Sequence, residues 1–297
     1  MADRPRRPNP AHVLFDAVAA DYDRTGVEFF APIGRRLVRL SSVSPGECVL
    51  DIGCGRGAAL FPAARAAGPT GSVTGLDLAA AMVEATNADA RRAGHTHVRA
   101  IVMDGGQPSF PGGSFDVITG SMSVHMLPDP ASAFRAYHRL LRPGGRLGLA
   151  VPTSVPEPEP KVFGLGAIAR MSAEYGSDSG VYPYGEALGG PRRAREELLA
   201  AGFSTVDIRH EQACITAPSA IAFLRWTWSH GMRLLWERVP VHQRTRHRKA
   251  IADEAHARSL EPDHIVLPVP VTYVVAHRGP RLVPPATAAT PEPPPTE

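Results

Sequence analysis

The chain has 297 residues, a formal net charge of +3 and three cysteines. Its length suffices for one large domain with insertions, and its small net charge gives no argument for a nucleic-acid partner. No apolar run reaches the ~18 residues of a membrane-spanning helix, so no membrane span is predicted. Because the cysteines are odd in number and widely spaced, they indicate a reducing compartment, the cytoplasm, and no metal cluster.

The two ends of the chain differ in composition from the part between them. Residues 1–11 are basic and proline-rich, lack the apolar region of a signal peptide, and are expected to be a disordered arm. Residues 279–297 are rich in Pro, Ala, Thr and Glu, which is typical of a disordered tail. One domain is therefore predicted over residues 12–278.

Two amphipathic helices are predicted ahead of the first strand. Apolar residues recur at helical spacing in His12–Tyr22 and again in Phe29–Leu40. Pro45-Gly46 then turns the chain into the first strand. Residues 12–45 are thus interpreted as a helical cap in front of the main sheet.

The stretch that organises the chain is residues 49–57, VLDIGCGRG. A short buried strand runs into three alternating glycines, and an apolar helical run from Ala58 to Ala67 follows. Glycine accepts backbone angles that a Cβ forbids and lets a ligand lie against bare main chain. The helix behind it presents unpaired N–H groups and a positive dipole end. The pattern predicts a nucleotide site, in which Cys54 is interpreted as a small filler.

Carboxylates or small residues follow the next predicted strands. The second strand ends at Asp77, about 20 residues past the glycines, where dinucleotide folds hold a pair of ribose hydroxyls. The third ends at Asp104-Gly105 and the fourth at residues 120–123, Gly-Ser-Met-Ser. The strands are expected at Cys48–Ile52, Ser72–Leu76, Val98–Met103, Phe115–Thr119, Arg146–Val151, Phe203–Ile215 and Ile265–His277.

Helices are expected between most of these strands. The turn at residues 142–145, RPGG, leads from a helix into the fifth strand, and Gly202 ends the helix before the sixth. The predicted helices are Ala58–Ala67, Ala79–Ala93, Pro130–Leu141, Phe163–Met171, Pro191–Ala201 and the long helical segment Pro218–Leu260.

The series VLDIGCGRG … LD … D … LRPGG, placed at successive strand ends, resembles the class I S-adenosylmethionine-dependent methyltransferases. In particular it resembles their quinone and small-molecule branch. The resemblance covers residues 12–152 well and the remainder in outline. It implies an α/β fold with a Rossmann-like seven-stranded sheet, helices on both faces, and a last strand antiparallel beside the sixth. Residues 12–45, 152–190 and 217–262 would converge at the carboxyl edge as a helical lid over a small-molecule pocket.

The resemblance also implies S-adenosyl-L-methionine as the cofactor, with S-adenosyl-L-homocysteine as its product. Asp51 is expected near the methionine amino group, Asp77 on both ribose hydroxyls and Asp104 on the adenine amino group. A leading helix of the form F-D-x-x-A-x-x-Y-D places Tyr22 over the cofactor. The expected cofactor-binding set is Tyr22, Asp51, Gly53, Cys54, Gly55, Asp77, Leu78, Met82, Asp104, Gly105 and Ser121. These residues also have interpretations without a ligand. Tyr22 could lie in the core of a plain amphipathic helix, and Asp77 or Asp104 could be a helix N-cap or a turn residue.

His125, after the fourth strand, is the candidate general base, because an imidazole titrating near pH 6.5 can accept a proton at neutral pH. The alternative is a histidine that packs beside the cofactor sulfur or fixes its loop. His210, His230 and His264 are weaker candidates, and His12 is expected to be solvated. No metal is expected, because acidic ligands are not seen near this strand end.

The helical segment 218–260 carries all three tryptophans of the chain. Phe223, Trp226, His230 and Arg233 fall on one helical face, where a flat aromatic substrate could stack. Packing of the lid onto the domain is the alternative. The basic run at residues 238–249, RVPVHQRTRHRK, is either a solvated face or a contact for an anionic group of the substrate.

The chain is therefore interpreted as a methyltransferase acting on an oxygen of a natural product or aromatic metabolite. Carbon and nitrogen acceptors stay open. A methyltransferase-like cyclase or binding protein that keeps the cofactor as a structural element is also left open. The protein could in addition form a homodimer. The Asn/Asp-Pro-Pro-aromatic motif of amino-methylating nucleic-acid enzymes is missing after the fourth strand, and an NAD oxidoreductase fits Asp104 and the RPGG turn poorly.

Overall fold

The computed structural model describes residues 11–153, 161–176 and 187–280. Nearly all of the expected arm (1–11) and most of the expected tail (279–297) lie outside these residues. So do residues 154–160 and 177–186 of the segment 152–190.

Seven strands form a single mixed sheet. They are β1 (Cys48–Ile52), β2 (Ser72–Asp77), β3 (Val98–Val102), β4 (Phe115–Ser121), β5 (Leu141–Pro152), β6 (Thr205–Ala217) and β7 (Ile265–His277). Their order in the sheet is β3-β2-β1-β4-β5-β7-β6. Strand β7 is antiparallel to both of its neighbours, and the other pairs are parallel. The predicted seven-stranded Rossmann-like sheet is thereby confirmed, including its antiparallel last strand.

Helices cover both faces of the sheet. They are α1 (Ala11–Val18), α2 (Phe30–Leu40), α3 (Leu60–Ala67), α4 (Ala80–Arg92), α5 (Pro130–Leu140), α6 (Gly166–Tyr175), α7 (Gly190–Ala200), α8 (Ala220–Trp228), α9 (Arg233–Arg238) and α10 (Val241–Arg258). Successive strand residues point to opposite faces. Val49 and Leu50 of β1 are both fully buried, yet Val49 belongs to the hydrophobic cluster that includes α3 residues and Leu50 to the cluster that includes α5 and α7 residues.

Strand β5 begins at Leu141 rather than at the predicted Arg146. Leu141 pairs with Phe115, and Arg146 pairs with Val117, so residues 142–145 form a bulge between the two pairs. Gly144 adopts φ 81° in this bulge, a conformation that glycine reaches at little cost. The expected turn is therefore an irregularity inside a longer strand.

The segment predicted as one helical run, 218–260, is broken twice. Ser219 caps α8 by accepting a hydrogen bond from the Ala222 N–H at 3.2 Å. Gly231 lies in the first break and Pro240 directly precedes α10, and both residue types favour interruption of a helix. The leading helix likewise ends at Val18, before the predicted Tyr22.

The last two strands extend past the carboxyl edge of the parallel strands. Strand β7 pairs with β5 only over Val271–His277, whereas it pairs with β6 along its whole length. The outer part of β6 and β7 is thus a two-stranded ribbon, and α8, α9 and α10 connect its two strands. None of the helices in the described part of the chain combines the length and apolar character that a membrane crossing requires.

Candidate active site

The glycine loop after β1 is held in a shape that side chains would prevent. Gly53 has φ 62° and Gly55 has φ 47°. A Cβ on Gly53 would lie 2.5 Å from the Cβ of Ser123, and a Cβ on Gly55 would point at the Tyr22 ring, 3.7 Å away. The loop therefore offers bare main chain to a cavity that Tyr22 covers.

Asp77, at the end of β2, fixes this loop to the neighbouring strand. One of its carboxylate oxygens accepts the Gly55 N–H, and the other accepts the Ala79 N–H, both at 2.9 Å. Burial raises the pKa of Asp77, and these two N–H groups oppose that rise. Each carboxylate oxygen retains a second lone pair for a ligand hydroxyl.

A cavity of about 780 Å³, counting space open to solvent, lies along the carboxyl ends of β1, β2, β3 and β4. The expected residues on its wall are Tyr22, Gly53, Gly55, Asp77, Leu78, Met82, Asp104, Gly105 and Ser121. The wall thus combines two carboxylates with apolar side chains, and Tyr137 steadies it by donating its hydroxyl to the Gly105 carbonyl at 2.7 Å. Their roles toward a cofactor remain predictions.

Asp51 and Cys54, which also belong to the expected set, are not on the cavity wall. Asp51 lies buried beneath the loop and accepts the Thr119 hydroxyl at 2.7 Å. Cys54 is buried against β2, where a Cβ on Gly75 would come within 2.7 Å of its Sγ. Burial raises the pKa of the Cys54 thiol, so its surroundings favour the interpretation as a small filler.

The buried Asp51 leads to a test of the stability of the cofactor-free protein. Burial raises its pKa from 3.8 to about 7, against the opposing effect of the Thr119 hydroxyl. Between these pH values the folded state holds a proton that the unfolded chain has lost. Asp51 therefore makes the free energy of unfolding fall as the pH rises from about 4 to about 7, by on the order of a few kcal/mol.

Denaturant unfolding of the wild type and of Asp51→Asn at pH 5, 6, 7 and 8 checks this expectation. Because asparagine cannot ionise, the variant should lose this component of the pH dependence. The difference in the free energy of unfolding between the two proteins should change from pH 5 to about pH 7 and level off toward pH 8. Two pH profiles that run parallel would show that Asp51 ionises normally in the fold.

The leading helix forms the roof of the cavity and is fastened at its carboxyl-terminal end. Asp16 accepts the Ala81 N–H at the start of α4, at 2.8 Å. Arg56, buried in the glycine loop, donates to the Ala19 carbonyl at 2.6 Å and to Asp89 of α4 at 2.7 Å. No local pattern predicts this role for Arg56, because its partners are distant in the chain.

His12 was expected to be solvated, and the structure places it at the cavity. Its side chain is half-buried and lines the cavity together with Phe15 and Tyr22. The helical spacing of α1 shows which residues share a face, but it does not show that the helix lies across the cavity. The position of α1 could therefore be found only in the fold.

The structure does not bring His125 onto the cavity wall. It lies in a short 3-10 turn, Val124–Met126, after β4. Its Nδ1 is enclosed and has no hydrogen-bond partner among the described residues, and burial lowers its pKa to about 4. The neighbours that do line the cavity are Met122, Ser123, Met126 and Leu127. These four residues could have been predicted as cavity residues, because their segment follows the carboxyl end of a parallel strand.

The weaker histidine candidates are dispersed. His210 Nδ1 lies 3.0 Å from the Thr272 hydroxyl on β6 and β7, and His264 is exposed. His230 is buried beside Trp226, with ring centroids 4.2 Å apart. Among the residues the structure describes, no group of three or more His, Cys, Asp or Glu side chains could hold a metal ion.

The aromatic residues of α8 and α9 are mostly packed inside the protein. Phe223 and Trp226 are fully buried, and Trp228 stacks on Trp236 at 5.5 Å. Arg233 is not part of this core and pairs with Glu237. In the basic run, Arg246 pairs with Glu174 and Lys249 with Asp253, as on a solvated face.

Comparison with known proteins gives the family. The family model described as "Methyltransferase domain" matches residues 49–145. Nocamycin O-methyltransferase of Saccharothrix syringae is 42% identical over 286 residues, which make up 92% of this chain and 98% of that enzyme. Aklanonic acid methyltransferase DauC of Streptomyces sp. is 49% identical over 138 residues, 46% of this chain and 63% of that enzyme.

Solved structures share the fold at low identity. The YcgJ protein of Bacillus subtilis has a TM-score of 0.56 at 17% identity, covering 83% of this chain and 98% of its own. The 4+2 cyclase SpnF has a TM-score of 0.53 at 18% identity, covering 84% of this chain and 82% of its own. With a relative that matches almost end to end and a sheet of the expected topology, the chain belongs to the class I S-adenosylmethionine-dependent methyltransferases and is an enzyme of that family.

Proposed function

We propose that this enzyme methylates an oxygen of a small natural product or aromatic metabolite, at the cavity beneath α1. The observation that carries the proposal is the arrangement of Asp77 and Asp104 at neighbouring strand ends beside the bare Gly53–Gly55 loop. Support for the substrate class comes from two relatives, one named for O-methylation of nocamycin and one for methylation of aklanonic acid.

The residues present fit S-adenosylmethionine. Asp77 would accept from its ribose hydroxyls while it continues to hold the loop through Gly55. Leu78, 40% exposed at the cavity, and the buried Met82 offer an apolar surface for the adenine. Asp104 would accept a hydrogen bond from the adenine amino group. The Gly53–Gly55 main chain would lie against the methionine end. When bound, the cofactor supplies a methyl group that its sulfonium has already activated.

The work left for the protein is to orient the acceptor and to exclude water. Orientation of two reactants can contribute roughly 7–11 kcal/mol to lowering a barrier. Phe15 of α1 and Tyr22, just after this helix, cover the cavity, and Met122 and Leu127 border it from the segment after β4. We assign these side chains to orientation and to closure of the site against solvent.

The wider organisation is proposed in the same terms. A lid over the acceptor pocket of a cytoplasmic enzyme is formed by residues 12–45 and 217–262 and by the described parts of 152–190, and a homodimer is compatible with this arrangement. Nitrogen and carbon acceptors are the second candidates. A cyclase that keeps the cofactor structurally is the third, and it is favoured only by the fold shared with SpnF.

Transfer of a labelled methyl group tests the proposal. The enzyme is incubated with methyl-labelled cofactor and a panel of hydroxylated, carboxylated and amino-substituted aromatic metabolites, and products are analysed by mass spectrometry. Label on oxygen with release of S-adenosylhomocysteine is expected. Binding of the cofactor without transfer to any acceptor, together with a ring-closed product, would contradict methyl transfer and favour the cyclase.

We propose that His125 fixes its loop and does not remove a proton. A group with a pKa of about 4 is a weak base, and its ring is not on the cavity wall. His125→Ala and His125→Asn should therefore lower kcat less than about tenfold, against the 10²–10⁴-fold expected for loss of a general base. The pH dependence should follow the ionisation of the acceptor itself. A loss of 10²-fold or more in both variants, recovered at high pH, would restore the base assignment.

A further inference from the structure

Aromatic rings lead from the cavity wall into the lid in an unbroken series of contacts. Tyr22, on the wall, stacks on Phe30 with ring centroids 5.1 Å apart. Phe30 meets His230 edge to face at 5.8 Å, and His230 lies 4.2 Å from Trp226. Phe163 completes the series, 5.1 Å from Trp226 and 5.5 Å from His230.

The series has an accessible layer and a buried one. Tyr22, Phe30 and Phe163 are half-buried, whereas Trp226 and His230 are buried behind them. Met122 is also half-buried and lines the cavity. Like Phe30 and Phe163, it packs against the hydrophobic cluster that contains Trp226. We call Tyr22, Phe30, Met122 and Phe163 the acceptor face.

Two members of the acceptor face have a strained backbone. Met122 adopts φ 53° and Phe163 adopts φ 51°, values that bulky residues rarely take. Such conformations persist only where the surrounding structure imposes them, and they cluster at ligand sites. Met122 is held by its N–H, which donates to the Ala150 carbonyl at 2.8 Å, and Phe163 lies in the turn between the bridged residues Val162 and Leu165.

The layer behind the face adds ring surface without charge. Burial lowers the pKa of His230 to about 3, so its imidazole is neutral at pH 7. A neutral ring in contact with Trp226, at an interplanar angle of 52°, gives an aromatic backing. Flat π-systems bind such surfaces by offset stacking and by edge-to-face contact.

We propose that the acceptor carries a flat, conjugated ring system that binds on the acceptor face, between Met122 and the rings of Phe30 and Phe163. This inference rests on the methyl transfer proposed above, and it adds the shape of the substrate and the residues that select it. Phe163 and Phe30 contact the ring system, and Met122 sets its distance from the cofactor cavity.

The experiment uses the full chain saturated with S-adenosylhomocysteine, with 1,8-dihydroxyanthraquinone as the flat probe. Quenching of tryptophan fluorescence measures the dissociation constant of the probe, because Trp226 lies directly behind the acceptor face. Decahydro-1-naphthol, which is not flat, serves as the competitor. Phe163→Leu is compared with Phe110→Leu, whose ring meets Phe115 edge to face at 5.2 Å in a different hydrophobic cluster.

We expect saturable quenching in the wild type and in Phe110→Leu, and a dissociation constant about five- to tenfold higher in Phe163→Leu, the effect of losing an aromatic contact. Calorimetry should give the same affinity for S-adenosylhomocysteine in all three proteins. Three results would overturn the proposed binding at the acceptor face while the proposed function stands. They are equal probe binding in the two variants, quenching that does not saturate, and displacement of the probe by decahydro-1-naphthol. Failure of S-adenosylhomocysteine to bind the wild type would overturn both.

Discussion

Asp77→Ala should weaken the binding of S-adenosylhomocysteine by about tenfold to hundredfold. The substitution removes the proposed acceptor for the ribose hydroxyls and also releases the Gly55 and Ala79 N–H groups, which Asp77 holds at 2.9 Å. A buried polar group left without a partner costs about 1–3 kcal/mol, and each ~1.4 kcal/mol corresponds to a tenfold change in affinity. Isothermal titration calorimetry of the two proteins measures the difference.

Asp116→Ala is the matched control for this substitution. Asp116 also accepts a backbone N–H, that of Cys48 at 2.8 Å, and it pairs with Arg142. It does so at the opposite end of β1, far from the cavity wall. We expect Asp116→Ala to lower the melting temperature and to leave the affinity for S-adenosylhomocysteine unchanged. Equal losses of affinity in both variants would mean that Asp77 acts through general stability.

Gly34→Ala should destabilise the protein, although the same change in most helices stabilises them. Gly34 lies in α2, where alanine is intrinsically better than glycine by about 0.5–1 kcal/mol. Here an added Cβ would overlap the Ala58 carbonyl and come within 2.8 Å of the Ala59 nitrogen. Because these are backbone atoms at the end of the glycine loop, α2 must shift, at a cost of about 1–3 kcal/mol or more.

Such a shift would also reach the active site. Helix α2 begins at Phe30, whose ring stacks on Tyr22 of the cavity roof. Thermal unfolding measures the stability loss, and calorimetry measures the accompanying loss of cofactor affinity. Gly112→Ala is the control, since its Cβ would meet the Arg139 carbonyl at 3.4 Å, a distance that small adjustments relieve. A Gly34→Ala protein as stable as the wild type would show that α2 does not pack directly on the loop.

The parts of the site that could be predicted from the sequence are those that follow strand ends. A buried strand of apolar residues is recognisable locally, and parallel strands bring their carboxyl ends to one edge of the sheet. Asp77, Asp104 and Ser121 follow three such strands, and all three line the cavity. Asp51 was expected to reach the ligand through a water or the loop backbone, and the alternation along β1 turns its buried side chain toward Thr119.

The parts that could not be predicted depend on contacts between distant segments. Arg56 is unremarkable in a glycine loop until Ala19 and Asp89 are seen beside it. The fully buried Trp226 was equally compatible with a substrate surface and with lid packing, and the fold places it behind the accessible rings. Helical spacing also gave no warning of the breaks within residues 218–260, which depend on single residues such as Pro240.

A crystal structure of the enzyme with S-adenosylhomocysteine would show directly whether the ligand binds in this cavity. We expect the ribose hydroxyls within hydrogen-bond distance of the Asp77 carboxylate, the homocysteine end along the Gly53–Gly55 main chain, and the adenine between Leu78 and Asp104. The sulfur should face the acceptor face at Met122. A ligand bound outside this cavity, or bound in it with its ribose away from Asp77, would overturn the proposed cofactor site.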